Sequence, residues 1–228
     1  MTNEDFDNAN VKFFIFNKKF RLKKLIIKPN IYLMEKSYSL LAANHLNLLE
    51  DLKNKNSKFN SVHVDLTDNY FCETLGISIL ALEQLAFTEL YDIDVHLLVE
   101  NPTNVLKRII NLKLRSLIFH CETINSIDFN ELSLKNIKKG IALLPNTDIK
   151  LLDQYLESAD MILFLCITPS LFPNSYKVDP ITRVIQFRNI FPNYQGQLTI
   201  DGGIEQSQFK DLDSLGVQTL VLGKKYFD

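Results

Sequence analysis

Short apolar runs alternate with longer amphipathic segments along almost the whole chain. The apolar runs predict eight β-strands, at residues 25–28, 61–66, 92–99, 116–120, 140–144, 160–167, 197–201 and 217–222. Helical periodicity predicts seven helices between them, at residues 37–52, 76–89, 103–112, 127–138, 148–157, 180–190 and 205–215. Alternation of strand and helix favours a parallel sheet, and eight such units favour an α/β fold closed as a (β/α)8 TIM barrel over an open doubly wound sheet.

The alternation continues without a linker or a low-complexity segment, so the sequence predicts one barrel domain. We place this domain at residues 25–228 and an N-terminal extension at residues 1–24. The chain stops a few residues after the eighth predicted strand, and we therefore expect a barrel that lacks its last helix. We hypothesise that the N-terminal extension covers the place where that helix would pack.

Charge and composition restrict the class of partner. The formal net charge is −2 at pH 7, which gives no reason to expect nucleic acid or an anionic membrane surface as a partner. No apolar run reaches the length of a membrane span, and the acidic N-terminus is unlike a secretory signal. Cys72, Cys121 and Cys166 lie far apart, which is typical of reduced thiols in the cytosol. We therefore expect a cytoplasmic protein.

Four ionisable residues lie in or at the ends of three predicted strands. His63 and Asp65 project from one face of the second strand, because residues two apart on a strand point the same way. His96 lies in the third strand, and Asp201 ends the seventh. Functional side chains gather at the carboxyl ends of barrel strands, so we expect all four at one mouth. Two imidazoles and two carboxylates suit one divalent metal ion, such as Zn²⁺, Fe²⁺, Mn²⁺ or Co²⁺.

The other histidines carry weaker signals. His45 falls in the middle of a predicted helix, and we interpret it as an ordinary surface residue. His120 and Glu122 repeat the two-residue spacing at the end of the fourth strand, which makes them candidates for supporting the metal ligands. A single histidine is more often ordinary than functional, so the metal-site hypothesis depends on the four residues together.

Several motifs also follow one another in an order found in a known family. They are Pro29-Asn30-Ile31, His63-Val64-Asp65-Leu66-Thr67-Asp68, Asp94-Val95-His96-Leu97-Leu98-Val99, Gly140-Ile-Ala-Leu-Leu-Pro145, Ile200-Asp201-Gly202-Gly203 and Leu222-Gly223. With these motifs in this order and spacing, the chain resembles the ribulose-phosphate 3-epimerases over residues 25–228.

The resemblance implies an isomerase of the pentose phosphate pathway that inverts carbon 3 of D-ribulose 5-phosphate to give D-xylulose 5-phosphate. It implies one divalent metal ion, held by the residues that match His63, Asp65, His96 and Asp201. We assign Asp65 and Asp201 as the two acid–bases, because inversion through an enediolate needs a proton carrier on each face of the carbon. Barrels of this kind commonly associate, so a homo-oligomer is an alternative to a monomer. The candidate residues for binding the sugar phosphate are Asn30, His96, Gly202, Gly203, Gly223 and Lys224.

The chain departs from the family pattern where the substrate would bind. A glycine-rich phosphate loop after the sixth strand is replaced by Thr168-Pro169-Ser170-Leu171-Phe172-Pro173-Asn174, so close backbone approach to a phosphate is less favourable there. Lys224 would supply charge instead, although a solvated basic terminus explains it equally well. Asn30 stands in place of a serine after the first-strand proline. Thr67, Leu98 and Leu165 stand in place of three methionines.

Three other functions stay open at this point. The same chemistry would serve a related ketose phosphate, such as allulose 6-phosphate. A divergent paralogue would bind metal or sugar phosphate without turnover; the altered loop favours this function, and the retention of all four metal-site residues opposes it. A related barrel decarboxylase or lyase is less favoured, because no lysine lies at an equivalent position on an inner strand face.

Overall fold

The computed structural model describes residues 34–168 and 177–227. Eight parallel strands close into a barrel in sequence order, each bonded to the next and the eighth to the first. The strands are β1 (Glu35–Ser39), β2 (Ser61–Thr67), β3 (Ile93–Leu98), β4 (Ser116–His120), β5 (Lys138–Leu143), β6 (Met161–Leu165), β7 (Gln197–Asp201) and β8 (Thr219–Leu222). The predicted (β/α)8 TIM barrel is confirmed.

Helices fill most of the connections between these strands. The α-helices are α1 (Leu48–Lys55), α2 (Ile79–Thr88), α3 (Pro102–Ile109), α4 (Ser126–Glu131), α5 (Pro180–Ile190) and α6 (Phe209–Ser214). Pro102 and Pro180 occupy the first turns of their helices, where no backbone N–H is needed. The helix predicted at residues 148–157 is instead the 3-10 helix Ile149–Gln154.

The helix predicted at residues 127–138 ends early, at Glu131. Leu132 is extended, with φ −66° and ψ 117°. The ammonium group of Lys139 donates to the carbonyl oxygens of Phe129 at 2.8 Å and Leu132 at 3.0 Å. A lysine from β5 therefore satisfies the last carbonyls of α4 where the helix stops.

The first strand lies at a different place from the one predicted. Residues 35–39 form β1, although residues 37–52 were expected to be helical, and α1 begins only at Leu48. The inward side chain of Ser37 accepts a hydrogen bond of 2.8 Å from Ser61 Oγ inside the barrel. Because the inner face of this strand is polar, hydrophobic periodicity does not reveal it. The strand predicted at residues 25–28 and the proposed extension at residues 1–24 lie outside the described residues.

The interior of the barrel is polar at its amino end and apolar in the middle. At the amino end, Arg115 donates to Asp94 at 2.8 and 2.5 Å, to Glu35 at 2.7 Å and to Ser61 at 2.8 Å. Above this network, a separate apolar cluster fills the barrel, and outward-facing strand residues form the larger core beneath the helices. The inner cluster consists of Cys72, Leu98, Ile118, Ala142, Met161, Leu163 and Leu165. The barrel is therefore a packed scaffold with its remaining ionisable groups at the carboxyl end.

After β8 the chain turns back towards β1. The 3-10 turn Lys224–Tyr226 leads to Phe227, whose ring lies 4.7 Å from the ring of Tyr38 and 6.1 Å from that of Phe59. Phe227 is 1% exposed and packs against Tyr38 of β1 and against Phe59, which precedes β2. No described helix combines the length and apolarity that crossing a membrane requires.

Candidate active site

Four ionisable side chains from three strands meet at the carboxyl mouth of the barrel. His63 and Asp65 come from β2, His96 from β3 and Asp201 from the last position of β7. One nitrogen or oxygen atom from each residue lies within 4.8 Å of the corresponding atoms of the other three. The structure thus brings together the four residues that the strand spacing predicts as a cluster.

The distances within this cluster are short. His96 Nδ1 lies 3.1 Å from Asp65 Oδ1 and 3.4 Å from His63 Nε2. His63 Nε2 lies 3.3 Å from Asp65 Oδ1. The Oδ2 atom of Asp201 lies 3.5 Å from each of these two nitrogens. The two carboxylates therefore approach the two imidazole nitrogens from different strands.

The backbone after β7 fixes the position of Asp201. Gly202 follows it with φ +78°, in the left-handed region that favours glycine. A Cβ atom at Gly202 would lie 2.2 Å from Cγ2 of Ile167, so the chain passes too close for a larger residue. Asp201 itself is hydrogen-bonded through its carbonyl oxygen to the Cys166 N–H at 2.8 Å. This close crossing holds the end of β7 against the end of β6.

Burial and mutual attraction shift the pKa of every group in the cluster. Burial alone would lower the pKa of His63, but Asp65 and Asp201 outweigh it and raise that pKa to about 10. The pKa of His96 is also raised, because its hydrogen bonds to the two carboxylates, which accept them, overcome its burial. Burial would raise the pKa of Asp65 and Asp201, yet the two histidines lower both. Both carboxylates are therefore ionised near neutral pH and attract positive charge.

The donor atoms fit a divalent metal ion. Imidazole nitrogens and carboxylate oxygens are ligands of Zn²⁺ and of the other divalent first-row metals. His63, Asp65 and His96 are almost fully buried, and the Asp201 side chain is 14% exposed. Ionised carboxylates are costly in such a place unless opposite charge neutralises them. Protons on the histidines or one bound cation would provide that charge.

The other predicted substrate residues lie beside this cluster or outside the described chain. Gly202 and Gly203 follow β7, and Gly223 and Lys224 follow β8, which is paired with β7. Lys224 is exposed. Asn30 lies outside the described residues, as does most of the altered loop, residues 169–176.

Ser39 is a residue of the mouth that the sequence did not single out. It ends β1 and is paired in register with His63 of β2. Ser39 therefore lies at the carboxyl end of β1, next to the strand that carries His63, whereas the motif comparison expected a polar substrate-binding residue at Asn30. A correct assignment of the first strand would have revealed it.

His120 and Glu122 reach the cluster from behind, as their spacing suggests. His120 Nε2 lies 2.8 Å from Nε2 of His96, and His120 Nδ1 lies 3.0 Å from Oε2 of Glu122. The ring of Phe71 covers His120, with its centroid 4.8 Å away. By contrast, His45 is exposed and bonded to the Leu40 carbonyl oxygen, as expected for a residue outside the site.

A closed parallel barrel with buried ionisable groups at the carboxyl ends of its strands is the arrangement of a TIM-barrel enzyme. The model of the ribulose-phosphate 3 epimerase family matches residues 36–227 of the chain. The protein belongs to this family, and its curated relatives are named for an isomerase-class enzyme.

Two curated relatives and one solved structure illustrate the similarity. A ribulose-phosphate 3-epimerase from Buchnera aphidicola subsp. Baizongia pistaciae is 29% identical, covering 84% of this chain and 88% of its own. That of Encephalitozoon cuniculi is 27% identical, covering 83% and 85%. The tryptophan synthase A-subunit of Pyrococcus furiosus superposes with a TM-score of 0.60 at 12% identity, covering 83% and 86%. The last similarity shows the barrel fold alone.

Proposed function

We propose that the protein is a divalent-metal-dependent 3-epimerase that interconverts D-ribulose 5-phosphate and D-xylulose 5-phosphate. The observation that carries this proposal is the convergence of His63, Asp65, His96 and Asp201 within 4.8 Å of one another. Membership of the ribulose-phosphate 3-epimerase family supports the substrate class. The cofactor is one divalent ion, Zn²⁺, Fe²⁺, Mn²⁺ or Co²⁺, held by these four residues.

Asp65 and Asp201 exchange the proton on carbon 3. Each faces the histidines with one oxygen, Oδ1 of Asp65 and Oδ2 of Asp201, and we assign proton transfer to the other oxygen. One carboxylate removes the proton to leave an enediolate, and the second protonates the opposite face. A bound divalent ion would stabilise the negative charge that develops on the enediolate oxygens. The carboxylate that takes the proton must start ionised, which its lowered pKa favours, and the one that protonates the opposite face must enter the step carrying a proton; the reverse reaction uses the two in the opposite roles.

The phosphate group of the substrate binds between the ends of β7 and β8. The loops after these two strands form the phosphate site of many TIM barrels. Gly202 and Gly203 offer backbone N–H groups without side chains, and Lys224 after Gly223 offers a positive charge.

The test measures turnover of D-ribulose 5-phosphate and of allulose 6-phosphate by the metal-loaded protein. We expect the pentose phosphate to be the better substrate, and Asp65→Asn or Asp201→Asn to abolish epimerisation, because each removes a proton carrier. Asp213→Asn, on the exposed surface of α6, is the matched control. Preference for allulose 6-phosphate would reassign the substrate. Turnover of neither sugar, or substantial activity in either active-site variant, would contradict the proposal.

Lys224→Ala separates phosphate binding from proton transfer. We expect this variant to raise KM with little change in kcat, because a charge that contacts the phosphate equally in the ground state and the transition state contributes uniform binding. An unchanged KM would indicate that Lys224 does not contact the phosphate and is an ordinary surface residue.

A further inference from the structure

A line of hydrogen bonds leads from His96 out of the cluster to a carboxylate. It runs from His96 Nε2 to His120 Nε2 at 2.8 Å, and from His120 Nδ1 to Glu122 Oε2 at 3.0 Å. The planes of the two imidazoles are 18° apart, which suits an N–H···N bond because the lone pair of a ring nitrogen lies in the ring plane. Both rings are fully buried, and the Glu122 side chain is 19% exposed.

Glu122 is itself held by donors on the loop after β5. Its Oε1 atom accepts from the Leu144 N–H at 2.9 Å and from the Thr147 hydroxyl. The carbonyl oxygens of Leu144 and Thr147 accept from Arg183 Nη2, at 3.2 and 2.6 Å, which ties this loop to α5. Burial alone would raise the pKa of Glu122, but His120 and these hydrogen bonds lower it to about 2. Glu122 is therefore ionised near pH 7 and acts only as an acceptor.

The acceptor at Glu122 determines which nitrogen carries each proton. His120 Nδ1 must donate to the carboxylate. With that proton on Nδ1, a neutral His120 presents a lone pair at Nε2, which lies 2.8 Å from Nε2 of His96. His96 Nε2 must then donate to it, which leaves the lone pair of a neutral His96 on Nδ1. That nitrogen is the one that lies 3.1 Å from Asp65 inside the cluster.

We propose that His120 and Glu122 are positioning residues that hold His96 in the tautomer and ring orientation required for its Nδ1 to bind a divalent cation. This inference rests on the proposed function, because it takes the cluster to be a metal site. Hydrogen-bond partners behind metal-binding histidines typically change metal affinity by about 10- to 100-fold. Neither residue is one of the four candidate metal ligands.

The test compares Glu122→Gln, Glu122→Asp and Glu131→Gln in the full-length chain. A glutamine can turn its NH2 group towards His120 Nδ1 and so permits the opposite tautomer, whereas an aspartate remains an acceptor. Glu131 is exposed at the end of α4 and controls for the loss of one charge. Long-range 1H–15N NMR of the metal-free protein gives the tautomer of His120. Competition with a chromophoric chelator gives the dissociation constant for Zn²⁺.

We expect wild-type His120 to carry its proton on Nδ1, and Glu122→Gln to move it towards Nε2 and to weaken Zn²⁺ binding by about 10- to 100-fold. Glu122→Asp should keep the Nδ1 proton, and Glu131→Gln should change neither readout. A wild-type His120 protonated on Nε2 overturns the inference, and this result does not depend on how the variants fold. Unchanged Zn²⁺ affinity in folded Glu122→Gln overturns it while the proposed function stands. A wild-type protein that binds none of Zn²⁺, Fe²⁺, Mn²⁺ and Co²⁺ contradicts both.

Discussion

Replacing Gly202 by alanine tests how the backbone after β7 places Asp201. The φ angle of Gly202 is +78°, and a Cβ atom there would lie 2.2 Å from Cγ2 of Ile167. Gly203 is a matched control, because its φ angle is +67° but its Cβ would meet nothing closer than the Cys166 carbonyl oxygen at 3.5 Å. The two glycines thus share the backbone strain of an alanine substitution and differ in the steric clash.

The magnitudes follow from these two effects. A left-handed backbone costs an L-residue about 1–2 kcal/mol, so Gly203→Ala should lower the free energy of unfolding by about that amount. Gly202→Ala adds overpacking against Ile167, which typically costs about 1–3 kcal/mol. We therefore expect a total loss of about 2–5 kcal/mol at Gly202. At about 2–4 °C per kcal/mol, its Tm should fall several degrees further than that of Gly203→Ala.

Urea unfolding of both variants measures the difference, and Zn²⁺ competition measures its effect on the site. Because Gly202 directly follows Asp201, relief of the clash displaces the carboxylate, and Gly202→Ala should bind Zn²⁺ more weakly than Gly203→Ala. Ile167→Ala removes the clashing atoms, so a double-mutant cycle should show that it offsets part of the loss at Gly202. Equal destabilisation by the two alanines, or a cycle without coupling, would refute the reasoning.

Three further outcomes are expected. Arg115→Met should lower the free energy of unfolding in urea by about 3–5 kcal/mol, because it leaves the carboxylate of Asp94, 4% exposed, without its cation. Its Zn²⁺ affinity should not change. Weaker Zn²⁺ binding would show that the amino end of the barrel is coupled to its mouth. Zn²⁺ at 100 times its Kd should raise the free energy of unfolding of the wild type by about 2.7 kcal/mol relative to protein in EDTA. Asp201→Asn should lose most of this gain at the same Zn²⁺ concentration. An equal gain in the variant would show that the ion binds elsewhere. Because the pKa of Glu122 is lowered to about 2, its contribution to stability is complete above about pH 4.5 and is lost as the pH falls towards 2. The free energy of unfolding of Glu122→Gln should therefore fall less steeply with acid than that of the wild type. Identical curves of stability against pH would contradict an ionised, hydrogen-bonded Glu122.

The fold was largely predictable because most of its strands are apolar runs in the sequence. The predicted segments at residues 116–120 and 197–201 coincide with β4 and β7, and the other runs from the second onward overlap β2, β3, β5, β6 and β8. β1 was missed because Ser37 and Ser39 alternate with Tyr38, and its inward face joins the polar network instead of the apolar core. The same error left Ser39, at the end of β1, out of the candidate site residues.

The four-residue cluster was predictable from the alternation of side chains along a strand, whereas the contacts behind it were only partly predictable. Two-residue spacing turns His63 and Asp65 to the same side, and the carboxyl end of a parallel strand places Asp201 at the same mouth. Parity also turns His120 inward, but the 2.8 Å contact between His96 and His120 depends on the ring orientations and on the stagger of neighbouring strands. A single sequence does not contain this information.

The most direct test of the central claim is exchange of the carbon 3 proton of D-ribulose 5-phosphate in deuterated water, measured together with metal analysis of the purified protein. The account predicts about one divalent ion per chain, deuterium incorporated at carbon 3 of both pentose phosphates, and loss of exchange after chelation. Metal-free protein that exchanges the proton at full rate would contradict it, as would metal-loaded protein that leaves carbon 3 unlabelled.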